Sequence, residues 1–133
     1  MTRTLVFGKA SEKQKQIHKT VKEAQEEAFE YSKNNFEKNI KASKLDDIAR
    51  NSILEKGFPL IPHSLGHGIG VEVHEHPFLS LNSKEILKEG MVFSIEPGIY
   101  LPGFGGVRIE DLFVIEKAGV RQLTTSPKEL IEI

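Results

Sequence analysis

The chain has 133 residues, 38% of them apolar and 28% charged, a balance that fits one globular domain and excludes the disordered and membrane-spanning classes. It has no cysteine, which removes disulfides, thiolate metal sites and cysteine nucleophiles together. The net charge of −1 hides an asymmetry: residues 1–56 carry 12 Lys and Arg against 9 Asp and Glu, and residues 57–133 carry 6 against 10.

Residues 2–7 read as a short strand closed by Gly8. Ser11 and Gln14 form a capping box, so a helix is expected to run from there to about Asn34. Its apolar stripe is Ile17, Val21, Ala24, Ala28 and Tyr31, opposite a solvated face of Lys, Glu and Gln. His18 is expected at the surface. A second helix is expected over Lys44–Lys56, capped by Ser43, burying Leu45, Ile48, Ala49 and Ile53 and stopped by Gly57. From residue 64 the hydrophobic period changes to two. Val71–His74, Met91–Glu96 and Gly106–Ile115 alternate and read as strands of a largely antiparallel sheet. Ser126–Glu129 reads as a last helical turn. The expected fold class is α+β, two helices on one face of a curved sheet.

Three clusters carry chemistry. In the first, from His63 to Pro77, four of the five histidines fall together, and the glycines around His67 let backbone approach a neighbour closely. If that segment is extended, His74 and His76 share a face. The bland alternative is a polar turn with incidental histidines. In the second, Phe93-Ser94-Ile95-Glu96-Pro97-Gly98, Glu96 ends an apolar strand, where a carboxylate needs solvent, a partner or a cation. In the third, Gly105–Asp111, alternation puts Val107, Ile109 and Asp111 on one face, and Arg108 and Glu110 on the other. Arg108 and Glu110 could be an ordinary surface ion pair worth roughly 0–1 kcal/mol, or the wall of a metal pocket. One imidazole and two carboxylates without cysteine suit Mn, Co, Zn or Fe.

Together these segments resemble the creatinase/aminopeptidase family of dinuclear metallopeptidases with the pita-bread fold. The residues that carry the resemblance are His63-x2-Gly66-His67-Gly68-x-Gly70-x3-His74-Glu75, then Met91-Val92-Phe93-Ser94-Ile95-Glu96-Pro97-Gly98-Ile99-Tyr100, then Gly106-Val107-Arg108-Ile109-Glu110-Asp111. The second and third are most similar to the Xaa-Pro aminopeptidase and Xaa-Pro dipeptidase branch. The Gly-His-Gly-Ile-Gly run is shared with methionine aminopeptidases. The resemblance implies that His67, Glu96 and Glu110 are metal ligands, with Glu110 bridging two divalent ions and Glu96 also moving protons. It implies that His74 contacts substrate and stabilises the tetrahedral intermediate, that His63 lies on the substrate side, and that Arg108 orients the carboxylates. Nothing carries over to His76.

The resemblance further implies two aspartate ligands from a hairpin that ends in a Thr-Arg-Thr segment. Thr2-Arg3-Thr4 matches that segment, and Asp46, Asp47 and Asp111 match neither aspartate. Residues 1–133 are therefore expected to be a single partial catalytic domain, a little over half of the whole, binding one ion or none and hydrolysing little alone. The expected partner is a peptide. Neither nucleic acid nor membrane is expected, since no basic face is concentrated and no apolar run is long enough to span, and residues 1–5 do not read as a leader. A homodimer is expected through an open strand edge at residues 2–7, and the expected compartment is the cytoplasm. The alternatives are a non-catalytic peptide- or protein-binding module on the same fold and a methionine aminopeptidase.

Overall fold

The computed structural model describes residues 1–133. Helix α1 spans Glu12–Asn35. Its first turn is closed by the capping box: Gln14 N donates to Ser11 Oγ at 3.3 Å and Ser11 N donates to Gln14 Oε1 at 2.7 Å. Ile17, Val21, Ala24 and Ala28 are buried as the periodicity requires, but the buried face is wider than the apolar stripe and includes Thr20, Gln25 and Ser32. His18 is also buried, at 6% exposure, contrary to the expected surface position. The cause is the C-terminal segment around Lys128 and Glu129, which lies along this flank of α1.

Helix α2 spans Ala42–Glu55, two residues earlier than its expected start. Ser43 does not cap it. Lys41 takes the cap position without a side-chain bond, and Ala42 N donates to Glu85 O at 2.9 Å, so a loop carbonyl replaces the side-chain cap. Leu45, Ala49 and Ile53 are buried, while Ile48 is only half-buried. The buried place falls instead to Asp46, whose carboxylate pairs with Arg50 Nε at 2.6 Å and accepts from Leu65 N at 2.9 Å.

The strands are β1 (Leu5–Val6), β2 (Gly66–Gly68), β3 (Glu75–Leu79), β4 (Val92–Ile95), β5 (Gly98–Leu101), β6 (Gly105–Arg108), β7 (Asp111–Glu116), β8 (Gly119–Gln122) and β9 (Ile131–Glu132). The main sheet is antiparallel in the order β3-β2-β4-β7-β8, and β5-β6 forms a separate antiparallel ribbon. Both helices and the inner faces of β4, β7 and β8 share one core, with Phe93 and Phe113 fully buried and their rings 6.1 Å apart. The chain is thus α+β, with two helices against curved, mostly antiparallel sheet.

Three expected strands differ. Val71–His74 is not a strand but the loop of the β2–β3 hairpin, folded back by Glu72 N donating to Glu75 Oε1 at 3.0 Å. Its alternation marks exposure, not pairing, and Val71 and Val73 stand in solvent. The run Gly106–Ile115 breaks at Ile109–Glu110 into β6 and β7, which belong to different sheets. The strand at residues 2–7 shrinks to Leu5–Val6, and one of its edges is taken by a parallel pairing with β9. Ser126–Glu129 is irregular rather than helical, and Arg3 draws on the carbonyls of Ser126 (2.8 Å) and Pro127 (2.8 Å). No helix is long and apolar enough to cross a membrane.

Candidate metal centre

The centre lies where β2 and β4 meet the break between β6 and β7. Gly66 faces the backbone of β4 so closely that a Cβ there would collide with the Ser94 carbonyl oxygen. This approach lets the buried Ser94 hydroxyl serve two residues. It accepts from His67 N at 3.0 Å and places its single proton on Glu96 Oε1 at 3.0 Å.

His67 Nδ1 lies 3.0 Å from the Gly68 carbonyl oxygen, which can only accept, so the hydrogen-bond network assigns the proton to Nδ1. Nε2 then faces Glu96 Oε1 at 3.1 Å. A neutral imidazole lone pair and a carboxylate oxygen that close repel unless something positive stands between or beside them, either a proton on Nε2 or a cation. Glu110 lines the same cavity. Its Oε2 accepts from Thr2 Oγ1, and its Oε1 is 3.4 Å from the N-terminal ammonium of Met1.

His74, on the hairpin loop, lies with its ring 4.4 Å from that of His67 at an interplanar angle of 58°. His63 is fixed from both sides: Nδ1 donates to Ser64 O at 2.8 Å, so Nε2 accepts from the Tyr100 hydroxyl at 2.9 Å. Arg108 points into the same space. Its Nε is buried without a partner, and it makes no ion pair with Glu96 or Glu110. Two adjoining cavities of about 360 and 490 Å³ result. His67, His74, Glu96 and Arg108 line both, His63 lines the smaller, and Glu110 lines the larger.

His76 does not join them. With His74 on a bend rather than a strand, the two do not share a face. His76 is 75% exposed and pairs with Glu85 at 2.6 Å. Glu85 itself is held below its ordinary range: its partial burial opposes ionisation, and the Phe78 amide and His76 outweigh that.

Behind the cavity, Asp111 is fully buried. Desolvation pushes its carboxyl upward, but the Thr124 hydroxyl, Arg3 and Lys128 outweigh this and hold it below the ordinary aspartate range. Arg3 donates to Oδ1 at 2.6 Å and Thr124 to the same oxygen at 2.6 Å. Lys128 Nζ stands 3.1 Å from Oδ2 as an ion pair without hydrogen-bond alignment, because its aligned bond goes to Gln25 Oε1 at 2.7 Å.

Ser94, Tyr100 and Gln25 were not singled out from the sequence. Ser94 had a readable signal, since it sits two residues before Glu96 and so on the same side of a strand. Tyr100 and Gln25 had none, because their contacts bridge segments distant in the chain.

The donor set suits a divalent cation: one imidazole nitrogen and one carboxylate oxygen converge, and a second carboxylate shares the cavity. Their number at one point does not suffice, because no three His, Asp or Glu side chains come close enough together to hold an ion.

The fold and the converging donors are of the kind found in a metallopeptidase family, and the chain belongs to metallopeptidase family M24, whose model matches residues 1–117. Among its relatives, the Xaa-Pro dipeptidase of Pyrococcus horikoshii is 52% identical over 132 residues, covering 98% of this chain and 36% of the relative. The Xaa-Pro dipeptidase of Lactobacillus helveticus is 45% identical, covering 97% and 34%. Among solved structures, the prolidase of Pyrococcus horikoshii superimposes with a TM-score of 0.89 at 52% identity, over 97% of this chain and 36% of that one. The X-Pro aminopeptidase of Thermotoga maritima gives 0.90 at 42% identity, over 98% and 36%. The chain thus spans about a third of the length of the relatives it matches.

Proposed function

We propose that this chain supplies part of the catalytic centre of a metal-dependent peptidase that cleaves the N-terminal bond of Xaa-Pro peptides. The observation that carries the reading is His67 Nε2 facing Glu96 Oε1 at 3.1 Å in a cavity that also contains Glu110, His74 and Arg108. The Xaa-Pro names of the relatives favour this substrate class over that of a methionine aminopeptidase. His67, Glu96 and Glu110 would hold the metal, and Mn, Co, Zn or Fe fits their chemistry. A divalent ion there supplies positive charge that acidifies water and polarises a carbonyl.

The chain's own groups do the rest. Ser94 fixes the Glu96 carboxylate, which is then placed to take up a proton and return it to the leaving nitrogen. His74 stands over His67 at the cavity wall, where an imidazole N–H can donate to a developing oxyanion; removing one such donor costs about 2.7–4 kcal/mol of transition-state stabilisation. His63 and Tyr100 make a fixed polar wall beside the substrate space. Arg108, its Nε unpartnered, is available to an anionic neighbour. Residues 1–133 act as one partial catalytic domain in this reading, with weak metal binding and little hydrolysis by themselves. A cytoplasmic setting accords with the absence of cysteine. A second copy pairing at residues 2–7 would meet the edge of β1 that β9 leaves free.

A second reading, peptide binding without cleavage, rests on the shortfall of ligands at any one point. One experiment separates the two: proline release from Xaa-Pro and alanine release from Met-Ala dipeptides, measured for the chain joined to the preceding portion of its Pyrococcus horikoshii relative. Chelator-sensitive cleavage of Xaa-Pro substrates, lost in Glu96→Gln, is expected. Peptide binding that ignores chelator and is never followed by cleavage would establish the second reading instead.

A further inference from the structure

We propose that Gln25 is a positioning residue that sets the spacing between the Glu96 and Glu110 carboxylates. The inference rests on the reading of those two as ligands and goes beyond it.

Gln25 lies on α1, far in sequence from the centre, and is fully buried. Its Nε2 donates to two main-chain carbonyls, Ile95 O at 2.9 Å and Ile109 O at 3.3 Å. Each belongs to the residue immediately before one of the carboxylates. These are also the points where the two strands leave the main sheet: β4 ends at Ile95 and the β5–β6 ribbon begins at Gly98, while β6 ends at Arg108 and β7 begins at Asp111. Residues 96–97 and 109–110 lie in the gap between the flanking ladder pairs Ile95↔Asp111 and Gly98↔Arg108, and Glu96 and Glu110 are each bonded besides to a third segment, Glu96 N to Leu65 O at 2.7 Å and Glu110 N to Thr2 O at 3.1 Å. The ties between these two breaks are the bond from Ile109 N to Pro97 O, long at 3.4 Å, and the Gln25 amide.

The orientation of that amide is not free. Lys128 Nζ, which can only donate, sits 2.7 Å from Gln25 Oε1, so the NH2 end must face the two carbonyls. Lys128 is itself placed beside Asp111. A buried amide with every partner supplied is rigid, and an amide lacking partners would be costly there. α1 thus reaches through the core and holds the bases of both carboxylates with one side chain.

The test compares Gln25→Met, which keeps the volume and removes the donors, with Val21→Ala, a fully buried change on the same helix that removes no hydrogen bond. The 13C carboxyl signals of Glu96 and Glu110 are followed by NMR in the metal-free chain, together with Mn2+ affinity. Gln25→Met is expected to shift both carboxyl signals and to lower Mn2+ affinity about 10–100-fold, the range for residues that orient ligands. Val21→Ala, at a similar loss of thermal stability, is expected to leave both readouts in place. Carboxyl signals unmoved by Gln25→Met, or moved equally by Val21→Ala, would overturn the proposal. Should Gln25→Met fail to fold, Gln25→Glu serves, which keeps the shape and the Lys128 contact but removes the donors: shifted Glu96 and Glu110 signals support the proposal and unmoved ones overturn it. If the unaltered chain binds no Mn2+, the ligand reading fails, while the carboxyl signals still decide the role of Gln25.

Discussion

At the floor of the cleft, where β4 meets β7, Asp111 is buried and held by Arg3, Thr124 and Lys128, and Ser94 ties His67 to Glu96. At the rim, residues 69–74 form a hairpin loop with Val71 and Val73 in solvent and His74 leaning on His67. The floor fixes its functional groups by polar pairs inside the core, where low dielectric makes each partner count. The rim holds His74 by a ring contact on a segment with little burial. A centre built this way keeps its candidate ligands rigid and leaves His74 on the part that can adjust.

The contrast is open to direct challenge by substitution. The largest effect is expected for Asp111→Ala, which leaves Arg3 and Lys128 without their counter-charge in the interior. A loss of about 3–5 kcal/mol in urea unfolding is expected. A loss below about 1 kcal/mol would mean the floor is not held by this pair. Gly66→Ala should follow, at about 1–3 kcal/mol, because the added methyl meets the Ser94 carbonyl and the overpacked strands must part. Ser94→Ala is expected to cost about 1 kcal/mol of stability and to weaken metal binding more than that figure suggests, since Glu96 loses its tether. Titration calorimetry beside thermal melts separates the two effects.

His18 sharpens the comparison through pH. Burial lowers its pKa, with a smaller push from Lys22 against a pull from Glu129. The unfolded chain therefore takes up the proton first as pH falls. The stability due to neutral His18 is complete above about pH 6.5, the ordinary histidine value, and is lost as pH drops from there toward the lower folded pKa. His18→Gln should flatten unfolding free energy against pH in that window. An unchanged slope would show that the C-terminal segment does not cover this flank in solution. The smallest effect is expected at the rim, where Val71→Ser should change stability by no more than about 0.5 kcal/mol.

Much of this was legible from residue patterns. The capping box at Ser11 and Gln14 located α1 to within a residue, since both partners are local. The alternation through Arg108, Ile109, Glu110 and Asp111 gave the right faces even across the strand break, because burial alternates whether or not the ladder continues. What stayed hidden depends on distant segments. The alternating Val71–His74 looked like a strand but closes a hairpin, and only the Glu75 side chain beneath it decides that. His18 reads as polar surface until the C-terminal segment is brought against it, and nothing local marks Asp46 for burial until Leu65 is brought against it. Ser43 had the right chemistry for a cap, but Lys41 is bridged to Ile86 and sets the helix start earlier.

Binding of Mn2+ to the 133-residue chain, followed by titration calorimetry in the unaltered protein and in Glu96→Gln, bears most directly on whether His67, Glu96 and Glu110 serve one cation. A single weak site, reversed by chelator and weakened at least about tenfold by Glu96→Gln, is the expected result. An affinity indifferent to Glu96→Gln, or two tight sites in this chain alone, would contradict it.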